Sequence, residues 1–399
     1  MAVSAVDISL PHAGRCLRVE NAPDVVQALA QAMPGWPMTL TQAQGATPTT
    51  YIYRDGEGLW QGSLNEPNEF TLPSPASAAC SLVGELVSQR LSAEAQLLGL
   101  HCGSVEINGQ LAIFPQSSQA GKSTLTVAFA AAGYRVFGDD VLGLTAQGAG
   151  VAMGVAPRLR MPLPESFSAE FVAYSERHAG PEDERYRFVV PATGRLAGYQ
   201  DVCPIGTIVL LERDPSNLEP DVVTLAPGEG LLQLLCQNFA SIDTSDALLI
   251  ERFLPLVQRV NCVLLRYSEP LAGARHLAQV LEQVNTKQTS PASLLQCPPV
   301  DTTAPEMSLL SRVWMPAAQV SVYTVCEELF LIQTATGAIH RLNASGKLAW
   351  QLLQHEPLSG EAISAVLAEY FAVRVERVRA DLAVLLASLA QADLVVADA

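Results

Sequence analysis

The chain has 399 residues, enough for roughly two or three domains, and its 49% hydrophobic and 16% charged content excludes an intrinsically disordered protein. A formal charge of -16, with only 24 Lys and Arg, argues against nucleic acid as the main partner, because phosphate backbones are held by clustered basic side chains. The eight cysteines stand singly, with no C-x-x-C and no zinc spacing, and read as buried thiols of a reducing compartment. The N-terminus lacks a secretory signal and no run approaches the ~20 apolar residues of a membrane span, so a cytoplasmic protein without membrane contact is expected.

In chain order, residues 16–19 read as a short strand and 22–33 as a helix capped by Asn21 and closed by Pro34-Gly35. Tyr51-Ile52-Tyr53 followed by Asp55-Gly56 suggests a strand and a turn. Residues 79–98 read as a longer helix, with Leu82, Leu86, Leu91 and Leu97 on its apolar side. Asn108-Gly109 between apolar pieces predicts a β-hairpin, since both turn residues must take positive φ. The strand 111–114 is then the second arm of an antiparallel hairpin, unlike the loop strand of an ordinary nucleoside triphosphatase, which belongs to a parallel sheet.

That strand runs into Gln116-Ser117-Ser118-Gln119-Ala120-Gly121-Lys122-Ser123-Thr124 and a helix reaching Ala132. Gly-Lys-Ser at a strand-to-helix turn offers backbone N–H groups and a positive helix end to phosphate, with the Lys on the terminal phosphates and the Ser hydroxyl on magnesium. The motif G-x-x-x-x-G-K-[ST] asks for glycine where this chain has Gln116. The strand 134–137 then delivers Asp139 and Asp140, placed to act as base and magnesium partner, with a solvated turn as the plainer alternative. Arg158 and Arg160 share one face if extended, where they either clamp phosphate or meet acidic surface. Residues 175–187 read as a polar loop over a site. A strand (207–211), a helix (229–239), a strand (262–265) and a helix (272–284) follow.

Between 286 and 312 the composition turns to Thr, Ser, Gln and Pro, as in a linker. Beyond it, 319–324, 329–333 and 339–342 read as strands. Asn343 and Ser359 cap two helices, and Val375, Val378, Leu382, Leu385, Leu386 and Leu389 mark the apolar face of a third. Three strands and three helices suggest a small winged-helix-like module. Arg374, Arg377 and Arg379 are a thin basic surface for DNA, which favours peptide binding.

Two resemblances follow from these residues. His101, the hairpin, Gly121-Lys122-Ser123, the helix after it and Asp139-Asp140 resemble the HPr kinase/phosphorylase catalytic domain, and more closely the related kinases of bacterial peptide-modification gene clusters. The resemblance implies that the loop 116–124 holds ATP, that Ser123 and Asp139 face Mg2+, and that Lys122 binds phosphate. It also implies that Asp140 or Asp139 is the base, Asp140 being preferred, with His101 as its neighbour. The family has glycine at the positions of Gln116 and Gln119, which reshapes the cradle here. Residues 320–396 are similar to PqqD, a leader-peptide chaperone, through Leu342-Asn343, Trp350–Leu353, Tyr370 and Asp381-Leu382, with Asp393 where that family has glycine. That resemblance implies leader binding by strand addition near Ile339, His340 and Arg341 and along the last helix at Arg377 and Asp381.

The expected architecture is an α/β (α+β) HPr-kinase-like domain over 1–285, divided into 1–97 and 98–285, then a linker over 286–312 and a PqqD-like domain over 313–399. The expected function is ATP-dependent phosphorylation of a Ser or Thr hydroxyl on a ribosomally made precursor peptide after leader capture. A catalytically degenerate scaffold that presents the peptide to other modifying enzymes is the alternative, and a small-molecule kinase with a regulatory domain is a more distant one. The expected partners are the precursor peptide and other peptide-modifying enzymes, with homo-oligomerisation left open.

Overall fold

The computed structural model describes residues 5–12, 17–43, 45, 48–56, 58–64, 66–115, 121–216, 219–240, 244–283 and 307–398. The chain divides into two compact units, one of Met1–Leu225, Cys236–Ala240 and Val260–Ala292, the other of Ala226–Leu235, Ser241–Arg259 and Ser293–Ala399.

In the first unit, β1 (Ala5–Ser9), β2 (Leu17–Glu20), β3 (Thr39–Gln42), β4 (Thr50–Asp55), β5 (Gly58–Ser63) and β6 (Glu66–Leu72) form one sheet in the order β3-β1-β2-β4-β5-β6. Ile8, Leu17, Val19, Ile52 and Leu59 turn inward and pack on α1 (Pro23–Ala32) and α2 (Pro75–Ala93). In α1 the buried Val25, Ala28, Leu29 and Ala32 repeat at helical spacing. Its N-cap is Ala22 rather than the expected Asn21, which stands outside the helix at φ 53. α2 starts earlier and ends earlier than its apolar residues suggest. Ser74 Oγ accepts from Ser77 N at 2.9 Å and Pro75 opens the first turn, while Leu98 already belongs to a strand.

The second layer of this unit contains β7 (Leu98–Leu100), β8 (Gly103–Ile107), β9 (Gln110–Phe114), α3 (Lys122–Ala131), β10 (Arg135–Gly138), β11 (Leu142–Leu144) and β12 (Ala149–Val151). The hairpin β8–β9 forms as expected, with Asn108 at φ 51 and Gly109 at φ 73. On its other side β9 runs parallel to β16 (Val202–Arg213), so the strand entering the loop is at once a hairpin arm and a member of a parallel set. Between them in sequence, β13 (Arg158–Arg160), α4 (Ala169–Arg177), β14 (Ala179–Glu182) and β15 (Tyr186–Val189) replace the polar loop expected over 175–187 with a helix end and a small antiparallel sheet. β17 (Asp221–Thr224) lies in sequence after β16, followed by α5 (Pro227–Cys236), α6 (Asp246–Val257), β18 (Asn261–Tyr267) and α7 (Pro270–Gln283), and β18 continues the parallel set beside β16. Phe114, Phe129, Leu265 and Leu277 centre the core between this sheet and α3 and α7.

The second unit includes α5 and α6, which the sequence reading assigned to the first domain or left unread. Its remaining elements are a 3-10 turn (Met307–Ser311), β19 (Val313–Pro316), β20 (Val320–Val325), β21 (Glu328–Gln333), β22 (Ile339–Leu342), α8 (Ala344–His355), β23 (Leu358–Ser359), α9 (Gly360–Phe371), α10 (Val375–Gln391) and β24 (Val395–Ala397). Asn343 Oδ1 accepts from Gly346 N at 2.9 Å and Ser359 Oγ from Ala362 N at 3.2 Å, so both expected caps form. Beside the expected sheet β20-β21-β22 lies a second one, β23-β19-β24, which the sequence reading lacks. Asp393 takes φ 54, a left-handed position open to Asp as well as to glycine. Most of the expected linker lies outside the described residues.

Among the described residues no helix is long and apolar enough to cross a membrane. The thiols are not all buried as expected: Cys102, Cys203 and Cys262 are, but Cys236 and Cys326 are exposed.

Candidate functional site

The turn from β9 into α3 requires glycine at its last position. Gly121 takes φ 97, and a Cβ there would stand 2.5 Å from Tyr267 Oη. Lys122 follows as the first residue of α3 and is only 5% exposed; burial lowers its pKa, while the Asp140 and Asp139 charges oppose that shift. Ser123 and Thr124, in the same first turn, are half-buried. Gln116, Ser117, Ser118, Gln119 and Ala120 lie outside the described residues.

The aspartate pair comes from the end of β10, where Gly138 allows a tight turn, since a Cβ would meet Val141 O at 2.4 Å. Asp139 is 5% exposed. Its Oδ2 accepts from the Arg158 backbone N–H at 3.0 Å, and the Ser123 hydroxyl donates to the same carboxylate. Its Oδ1 is buried without a hydrogen-bond partner among the described residues. Burial, reinforced by the charge on Asp140, pushes the Asp139 carboxyl up to about 7. Asp140 differs, with its side chain 42% exposed, Arg158 Nη2 at 3.0 Å and His101 Nε2 at 3.8 Å. Burial opposes its ionisation, but the contact with His101 and the charges of Arg158 and Lys122 prevail and hold it below the usual carboxylate range. Two adjacent carboxylates are thus driven apart in proton affinity, a pattern typical of functional sites.

Of the residues read from sequence, His101, Lys122, Ser123, Asp139, Asp140 and Arg158 converge here, whereas Arg160, at the other end of β13, is exposed. Three features were not read. The Arg158 guanidinium stacks over Tyr186 at 4.6 Å. Tyr267 Oη, pushed up to about 12 by burial, faces Gly121. A cavity of about 110 Å³ opens beside the aspartates, walled partly by α2. No local pattern marks the first two; an isolated glycine in a helical run, Gly84, points to the third.

Among the described residues no group of three or more His, Cys, Asp or Glu side chains is arranged to hold a metal unaided. The buried, orphaned Asp139 Oδ1 and the Ser123 hydroxyl beside it nevertheless fit magnesium, an ion that takes one or two protein oxygens and completes its shell with water and phosphate.

In the second unit β22 is an edge strand of its sheet, carrying the half-buried Ile339, His340 and Arg341. Arg341 is engaged internally: Nε donates to Glu328 Oε1 at 2.9 Å, a second nitrogen reaches the same oxygen, and Nη1 meets Glu229 Oε1 at 2.8 Å. Arg377 and Asp381 are exposed one turn apart on α10.

Residues 328–395 match the sequence model of the family described as coenzyme PQQ synthesis protein D (PqqD), so the second unit carries a PqqD domain. Among solved structures, the Hpr(Ser) kinase/phosphatase from Coxiella burnetii is similar over 47% of this chain and 98% of its own. That similarity has 13% identity and a TM-score of 0.26, too distant to transfer residues or activity. A comparison with curated proteins gives no match.

Proposed function

We propose that the chain is an ATP-dependent kinase of a ribosomally made precursor peptide, which it captures by the leader through its PqqD domain. The observation that carries the kinase half is the convergence of Lys122, Ser123, Asp139 and Asp140 with His101 and Arg158 at one strand end. The PqqD match and the place of β22 at the edge of its sheet among the described residues support the peptide half, because an extended segment adds to such an edge through its backbone.

In this reading Lys122 binds the terminal phosphates from the start of α3, where the helix dipole also favours an anion. Ser123 and Asp139 hold magnesium, which when bound neutralises charge building on the phosphate oxygens. Asp140, oriented by Arg158 and His101, accepts the proton of the acceptor hydroxyl; a loose transition state asks little basicity of it. The PqqD domain raises the effective concentration of an acceptor that the site itself holds weakly. A catalytically degenerate scaffold is the second reading, favoured by glutamine at 116 and 119, where glycine would let backbone approach phosphate.

The test is to incubate the protein with a precursor peptide, ATP and magnesium and to seek phosphate on Ser or Thr by mass spectrometry. Lys122→Ala is expected to lower transfer by about 10²–10³-fold with leader affinity intact. Removing the leader is expected to cost about 10²–10⁴-fold. Leader binding without any phosphopeptide would leave the scaffold reading; equal transfer to a leaderless peptide would remove the tethering role.

A further inference from the structure

Helix α2 belongs to the part of the chain for which the sequence suggests no role, yet Cys80, Val83 and Gly84 on it wall the cavity whose floor is Asp139, Asp140 and Arg158. At about 110 Å³ the space is well below the roughly 300–1,000 Å³ of a whole small-molecule pocket, and at about 30 Å³ per water it has room for one short side chain. Its walls are mostly apolar and its floor offers a carboxylate acceptor in Asp140, whose side chain is part-exposed. A short aliphatic group with a hydroxyl at its tip satisfies both. Gly84 lines this space, and a Cβ built there meets nothing within 4 Å, so no neighbour in the fold demands glycine, although glycine inside a helix carries an entropic cost.

We propose that this cavity is the acceptor subsite, receiving a serine or threonine side chain, and that Cys80, Val83 and Gly84 of α2 set the size of side chain admitted. The inference rests on the kinase reading. In the step it serves, the acceptor oxygen forms the new bond to the γ-phosphorus while the bond from that phosphorus to the β–γ bridging oxygen breaks. The hydroxyl proton passes to the Asp140 carboxylate, and ADP leaves with the bonding pair.

The probes are the N-acetyl methylamides of serine, threonine and tyrosine, offered at high concentration with ATP and magnesium to the full chain and to Gly84→Ala and Gly84→Leu. The expected result is transfer to serine and threonine but not to tyrosine. Gly84→Ala should lower threonine relative to serine by at least threefold. Gly84→Leu should lose both by at least tenfold, with calorimetric ATP affinity and melting temperature no lower than in the parent. Loss of ATP affinity in Gly84→Leu would assign the cavity to the nucleotide and overturn the proposal. So would wild-type transfer by Gly84→Leu, or ATP binding by the parent without transfer to any probe, and neither of these touches nucleotide binding by the loop. If the parent neither binds ATP nor transfers phosphate, the kinase reading fails and the subsite with it.

Discussion

Asp139→Asn is expected to stabilise the metal-free protein above neutral pH while impairing transfer. The carboxyl sits buried with one oxygen unpartnered and its pKa raised to about 7, mainly by burial. The native state therefore keeps this proton up to about pH 7, whereas the unfolded chain releases it near the ordinary carboxylate value of about 4. Between those limits the native state binds more protons, so this group makes stability fall as pH rises and its full penalty stands above neutrality. Asn removes the charge and keeps an oxygen for the Arg158 N–H, for an expected gain on the order of 2 kcal/mol at pH 8. Asp140 works in the opposite sense, its lowered pKa adding stability that is lost only as pH falls below the carboxylate range. Transfer by the variant should fall about 10–100-fold and recover in part at high magnesium, if Asp139 stands on the metal side. Thermal melts in EDTA from pH 5 to 9, with a magnesium titration of activity, check both halves. An unchanged pH slope would contradict the buried-charge account, and undiminished activity would remove Asp139 from the metal side.

Arg341→Ala is expected to destabilise the second unit by about 3–5 kcal/mol, because it strands carboxylates that the arginine now neutralises. Arg341 is 17% exposed on its side chain, Glu328 10% and Glu229 21%. Glu328 already has Oε2 buried without a hydrogen-bond partner among the described residues, so losing the guanidinium leaves a largely buried carboxylate without the cation that faces it. The pair Arg341→Met with Glu328→Gln should restore most of the loss, since replacing both partners avoids an isolated buried charge. Urea unfolding of the single and double variants measures this, and a loss under about 1 kcal/mol for Arg341→Ala would mean that water reaches the network. The result bears on peptide capture. The resemblance to PqqD implies Arg341 as a contact residue, but its donors are committed to Glu328 and Glu229, so weakened leader binding in its variants must be separated from unfolding. Ile339 and His340, on the same edge strand, test the strand-addition mode more directly.

Features set by neighbouring residues were legible in the sequence. The Asn108-Gly109 turn, the caps at Asn343 and Ser359, and the strand-to-helix turn at Gly121-Lys122-Ser123 all depend on contacts within a few residues. Asn21 misled because capping residues also favour left-handed turns, and it adopts the latter. The small sheet β23-β19-β24 was missed because two- to four-residue strands carry too little alternation to register.

By itself, then, the sequence placed these features in order: Gly121-Lys122-Ser123 at a strand-to-helix turn, an aspartate pair after the next strand, and a segment that matches PqqD near the end. Only the tertiary structure decided how these residues differ. Asp139 and Asp140 are adjacent in sequence, yet one is buried against Ser123 and the Arg158 amide and the other is turned toward His101 and the Arg158 guanidinium. Burial and charged neighbours fix a carboxyl's proton affinity, and they arrive from β13 and from the residues before β8, distant in sequence. The cavity walled by α2 has the same origin, since Gly84 and Asp140 are 56 residues apart by the difference of their numbers and meet only when the chain folds.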